Sequence, residues 1–116
     1  MTSHHPDLVK KVRHTAEATI VELYGDVDLH HSPDLHATLI DALSDHPSRL
    51  IINLSGVPYM DSSGVGTLVE VFRRVSAYKG KMVLCGLTPR VRSVMEITKL
   101  DRFFTICDTE EQAAQA

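Results

Sequence analysis

Arg49-Leu50-Ile51-Ile52-Asn53-Leu54-Ser55-Gly56-Val57-Pro58-Tyr59-Met60-Asp61-Ser62-Ser63-Gly64-Val65-Gly66 is the run that decides how this chain folds. Its first six residues are apolar and almost uninterrupted, the pattern of a strand covered on both faces. Ser55 through Met60, with a glycine and a proline, reads as a loop. Asp61 then suits a helix N-cap, because its carboxylate can accept from first-turn N–H groups that have no intrahelical partner. Val65, Leu68, Val69, Phe72 and Val75 follow at helical spacing and form an apolar stripe. A buried strand feeding an amphipathic helix is half of a parallel crossover unit.

The same alternation continues on both sides. Gly80 stops the helix, and Lys81 to Cys85 reads as another buried strand. Gly86 and Thr88-Pro89 open a third helix, with Val91, Val94, Met95 and Ile97 as its expected buried side. Phe103 to Ile106 reads as a short final strand and Glu110 to Ala116 as a frayed terminal helix. Toward the N-terminus, Ser32 is read as an N-cap with Pro33 in the first helical position, where its missing N–H costs nothing. Leu35, Leu39, Ile40 and Leu43 carry that helix to near Asp45, before Pro47. Leu8 to His14 and Ala18 to Tyr24 read as two strands joined by Thr15-Ala16-Glu17, and Gly25 ends the second. The expected fold class is α/β: a small mixed sheet of four to five strands packed with about four helices. Residues 1–7 are expected to be a flexible N-terminus and residues 8–116 a single domain.

With 116 residues the chain can bury one core but not two. Hydrophobic residues make up 43% and charged residues 23%, as in ordinary globular domains, and Trp is absent, so the core must be aliphatic. A net charge of -3 and basic clusters no longer than Lys10-Lys11-Arg13, Arg73-Arg74 and Arg90-Arg92 argue against nucleic acid as a partner. No apolar run reaches the length of a membrane span, so no membrane is expected and the location is read as cytoplasmic. Cys85 and Cys107 each lie in an apolar run and read as buried free thiols in a reducing compartment. His4-His5, His30-His31 and His36 have no Cys or carboxylate at ligand spacing, so neither a metal nor another cofactor is expected.

The chemistry concentrates in Met60-Asp61-Ser62-Ser63-Gly64-Val65-Gly66. Ser62 and Ser63 fall in the first turn of the middle helix, where unpaired N–H groups and the positive end of the helix dipole favour negative charge. Gly64 and Gly66 lie inside the first turns, where each glycine costs about 1 kcal/mol relative to alanine. Close approach of another molecule's backbone is one offsetting gain. Taken alone, Asp-Ser-Ser-Gly is also a plain helix cap. A nucleotide hydrolase would require a Gly-x-x-x-x-Gly-Lys cradle, and a serine hydrolase a Gly-x-Ser-x-Gly elbow; neither surrounds Ser62.

Three segments together resemble the STAS-domain anti-sigma factor antagonists, small bacterial proteins of partner-switching pathways. Gly25-Asp26-Val27-Asp28 is similar to that family's Gly-Glu-x-Asp turn, with a carboxylate shortened by one methylene. Val57 through Gly66 is similar to its phosphorylation loop, and Gly80 through Leu100 to its last strand and third helix. The resemblance implies no catalytic residue of the chain's own. It implies an anti-sigma factor that is also a serine kinase, which the unphosphorylated chain binds so that the kinase releases its client. It also implies a metal-dependent serine phosphatase that resets the switch. Apart from the resemblance, a monomer that pairs transiently is expected. On the family reading Ser62 is the phosphoacceptor, with Ser63 the second choice. Asp26, Asp28, Asp61, Gly64, Val65, Gly66 and Thr67 form the partner-binding surface. The alternative is a constitutive STAS subunit of a lipid-transport complex, which is not phosphorylated.

Overall fold

A computed structural model describes residues 7–116; the expected flexible N-terminus thus lies almost wholly outside the described residues. Five strands form one sheet in the order β1-β2-β3-β4-β5: β1 (Val9–His14), β2 (Thr19–Tyr24), β3 (Arg49–Gly56), β4 (Lys81–Cys85) and β5 (Thr105–Cys107). β1 pairs antiparallel with β2, and every later pair is parallel. The helices are α1 (Ser32–Ala42), α2 (Ser62–Ala77), α3 (Pro89–Ile97) and α4 (Glu110–Gln115), with a 3-10 turn at Leu100–Arg102. The mixed sheet and four helices agree with the fold class expected from the sequence.

The parallel strands are laid down side by side in chain order. Right-handed crossovers in such a sheet put all their helices on one face. Accordingly Leu35 and Leu39 of α1, Leu68, Val71 and Val75 of α2, and Val91 and Met95 of α3 share one core with Val21, Leu23, Leu50, Ile52, Leu54, Met82 and Leu84 of the sheet. The opposite face carries Ile20, Ile51, Val83 and Cys85, and α4 closes over it through Ala113. Leu50, Ile51 and Ile52 are therefore fully buried on alternating faces, which is why their run shows no polar interruption.

Several expectations are corrected. The N-cap of α1 is His31, not Ser32, which is itself the first helical residue. Asp28 starts this turn: its Oδ1 accepts from the His31 N–H at 3.0 Å and its carbonyl from the Ser32 N–H at 2.9 Å. The stripe of α2 runs through Val71, while Val69 and Phe72 are half-buried. Ile97 is 81% exposed rather than buried. The last strand begins at Thr105, because Leu100–Arg102 turns before it, and Phe103 is exposed. Cys107 is half-buried, unlike Cys85. The terminal helix is docked, not frayed. Thr109 and Gln112 close a capping box at its start, and Arg49 Nη1 donates to the Ala113 carbonyl at 2.9 Å.

Candidate functional site

The carboxyl ends of β2 and β3 lead into two loops that lie against each other. Gly25, at φ 120°, turns the chain out of β2 in a conformation that a side chain would strain. Val27 then forms an isolated parallel bridge with Met60. Its N–H donates to the Tyr59 carbonyl at 2.9 Å, and its carbonyl accepts from the Asp61 N–H at 3.1 Å. The loop after β2 is thereby fastened to the residues that start α2.

Asp61 caps α2 and also reaches back across this seam. Its Oδ1 accepts from the N–H groups of Ser63 at 2.9 Å and Gly64 at 3.3 Å, and its Oδ2 from the Leu29 N–H at 3.1 Å. Burial pushes the carboxyl toward protonation. The Ser63 hydroxyl and the N–H groups of Gly64, Ser63 and Leu29 outweigh that, and hold its pKa below the usual carboxylate value.

The two serines are placed differently. The Ser63 hydroxyl donates to Asp61 Oδ1 at 2.5 Å and meets the Ser32 hydroxyl at 2.9 Å. Ser62, one residue earlier, is exposed, and among the described residues no hydrogen bond engages its hydroxyl. It sits at the first position of a 16-residue helix, at the end where backbone N–H groups favour an anion. The Ser62 hydroxyl is therefore open to solvent as a nucleophile, whereas the Ser63 hydroxyl is already engaged by Asp61 and Ser32.

The glycines also divide. A Cβ on Gly64 would stand 2.5 Å from Val27 Cγ1 and 2.9 Å from both Met60 Cγ and the Val27 carbonyl oxygen. Gly64 is thus explained by the chain's own packing of α2 onto the bridged loop. A Cβ on Gly66 would meet nothing within 4 Å. Gly66 opens a shallow depression shared with Val69, Glu70 and Arg73. Glu70 is held there by His36 Nε2 at 2.8 Å and Arg74 at 3.1 Å, and these partners keep its carboxyl ionised to lower pH than usual.

The structure brings Asp28, Asp61, Ser62, Ser63 and Gly64 together, with exposed Asp26 next to Val27 at the rim. Val65 and Thr67 are each only 8% exposed, and Gly64 is also buried, so they support the surface from within. Ser32, Val27 and Leu29 are parts of the site that the sequence reading did not assign. The signal for Val27 was present: a single apolar residue between Asp26 and Asp28 in a loop is a candidate anchor. Leu29, 75% exposed beside the Asp61 carboxylate, gave no such signal.

No helix among the described residues is long and apolar enough to cross a membrane. Comparison with protein families matches residues 9–113 to the STAS domain. The chain is 33% identical over 100 residues to an anti-sigma F factor antagonist of Lysinibacillus sphaericus, covering 85% of each chain. The crystal structure of an anti-sigma factor antagonist from Mycobacterium paratuberculosis has the same fold, with a TM-score of 0.88 at 23% identity over 98% of this chain and 97% of that one. The Bacillus cell fate determinant SpoIIAA in its phosphorylated form matches with a TM-score of 0.71 at 27% identity, over 92% of this chain and 97% of that one.

Proposed function

The chain belongs to the STAS-domain family, and from that premise we propose that it is an anti-sigma factor antagonist whose partner choice is set by phosphorylation of Ser62. The observation that carries the reading is the contrast between the two serines. Ser62 offers an exposed, unengaged hydroxyl at a helix N-terminus, while Ser63 is consumed in holding the turn.

The proposed partner is an anti-sigma factor with serine kinase activity, bound by the unphosphorylated form, and a metal-dependent serine phosphatase restores that form. The chain itself is the substrate and performs no catalysis, and it acts as one domain and as a monomer. Ser62 and Gly66 on the open face of α2, with exposed Asp26 and Leu29 on the adjoining loop, form the docking surface. Asp28, Asp61, Gly64, Val65 and Thr67 fix its shape from beneath. A phosphate adds a charge of about -1.5 to -2 next to Asp61, so a surface fitted to a neutral hydroxyl then meets repulsion and a desolvation cost.

Incubation with the cognate kinase and ATP, followed by mapping of the phosphate by mass spectrometry, tests the proposal. A single phosphate on Ser62, abolished in Ser62→Ala, is expected. Phosphate on Ser63, or none together with stable capture of a lipid-transport ATPase, overturns it.

A further inference from the structure

The chain has two cysteines, and the sheet sets them side by side. Cys85, the last residue of β4, is the register partner of Cys107, the last residue of β5. Register partners on parallel strands point to the same face, and both thiols belong to the small apolar cluster under Ala113 of α4. Their surroundings differ. Cys85 is fully buried, whereas Cys107 is half-buried and lines a surface depression with Arg92, Asp108 and Gln112.

We propose that Cys107 is a site of oxidation by peroxides and that Cys85 resolves it into a Cys85–Cys107 disulfide. Neighbouring strands lie about 4.8 Å apart, inside the Cα separation of about 4.4–6.8 Å that a disulfide spans. The Cβ atoms of parallel register partners keep nearly the strand spacing, a little beyond the mean of about 3.8 Å in disulfides. The strands must therefore draw together, and β5 can do so: it is three residues long and paired on one side only. A bridge made against that resistance is readily reduced, the character of a reversible rather than a structural disulfide.

The step balances. The Cys107 thiol takes one oxygen from hydrogen peroxide to become a sulfenic acid, and water leaves. The Cys85 sulfur then attacks the Cys107 sulfur: the S–S bond forms, the S–O bond breaks, and the hydroxyl departs with the Cys85 proton as a second water. Two thiols lose two electrons, and one peroxide becomes two waters. Burial pushes the Cys85 thiol up to about 11, so its attack on the oxidised Cys107 quickens as pH rises toward that value. This chemistry does not depend on the reading of Ser62.

The fully reduced chain treated with hydrogen peroxide, alkylated and weighed intact tests the proposal. The expected product has lost two hydrogens, has no free thiol, yields a peptide cross-linked between Cys85 and Cys107, and reverts with dithiothreitol. Cys85→Ala is expected to stop at oxidised Cys107, and Cys107→Ser to resist oxidation, with both variants checked for folding by circular dichroism. Wild-type protein that halts at sulfenic or sulfinic Cys107 with Cys85 still alkylatable, that forms Cys107-linked dimers, or that keeps both thiols overturns it.

Discussion

The hydroxyls of Ser32 and Ser63 stand 2.9 Å apart and join the first turn of α1 to the first turn of α2. Ser32 Oγ also lies 2.7 Å from the Asp28 carbonyl oxygen, and Ser63 Oγ 2.5 Å from Asp61 Oδ1. Two hydroxyl protons thus serve three short contacts, and removing either serine disturbs the proton arrangement of the other. Ser32→Ala and Ser63→Ala are each expected to cost about 1 kcal/mol in denaturant unfolding. The double variant should cost less than their sum, since one lost contact is common to both. Strict additivity would show that the two helix starts are independent.

Gly64 and Gly66 should respond in opposite directions. Gly64→Ala forces a methyl group against Val27 and Met60 and is expected to destabilise by about 1–3 kcal/mol. Gly66→Ala has open space and should stabilise α2 by about 0.5–1 kcal/mol. If Gly66 is the docking surface proposed above, the same methyl weakens capture of the kinase despite the gain in stability. Thermal unfolding and a pull-down on both variants separate these effects.

Acid should loosen the site through Asp61. Its folded pKa lies below the ordinary 3.8, so its ionised form adds stability that is fully present above that value. As pH falls through the lower folded value, the contribution is lost. Asp61→Asn should flatten the acid side of a stability-against-pH curve, and Asp61→Ala should cost about 0.5–2 kcal/mol at neutral pH. An unchanged acid limb in Asp61→Asn would assign the acid sensitivity to other carboxylates.

On α3, Met95→Ala should cost about 2–5 kcal/mol, because Met95 is fully buried. Ile97→Ala should fall within about 0.5 kcal/mol of the parent. Urea unfolding of the two variants checks the assignment of faces.

The pair on α3 also shows where sequence periodicity reaches its limit. At about 100° per residue, Ile97 lies about 120° around the helix from Val91, outside the stripe that Val91 and Met95 define. In a helix of nine residues one extra apolar residue looks like part of the face. β3, β4 and the start of α2 were legible because burial on both faces and a capping Asp leave local signals. Ser32 was misplaced because Asp28, four residues upstream, already starts the turn and frees the serine for Ser63. The docking of α4 left no pattern, since its buried face is essentially Ala113, and a small residue marks close approach only once its neighbour is known. Of the candidate site, the sequence supplied the acidic residues, the two serines and the two glycines, but not Val27, Leu29 or Ser32. The division of labour between Ser62 and Ser63, and between Gly64 and Gly66, came from which atoms the second loop touches.

The Val27–Met60 bridge has a thermodynamic consequence for any partner that lands here. Loops that must be ordered on binding lose conformational freedom, and that loss weakens association. In this chain both loops are already pinned by backbone hydrogen bonds to each other, and Asp61 adds a third tie through Leu29. On the function proposed above, the partner meets a preformed landing pad, so affinity is set by contact and charge rather than by ordering. On the same reading, the proposed phosphate at the pad alters binding without any need to refold the domain.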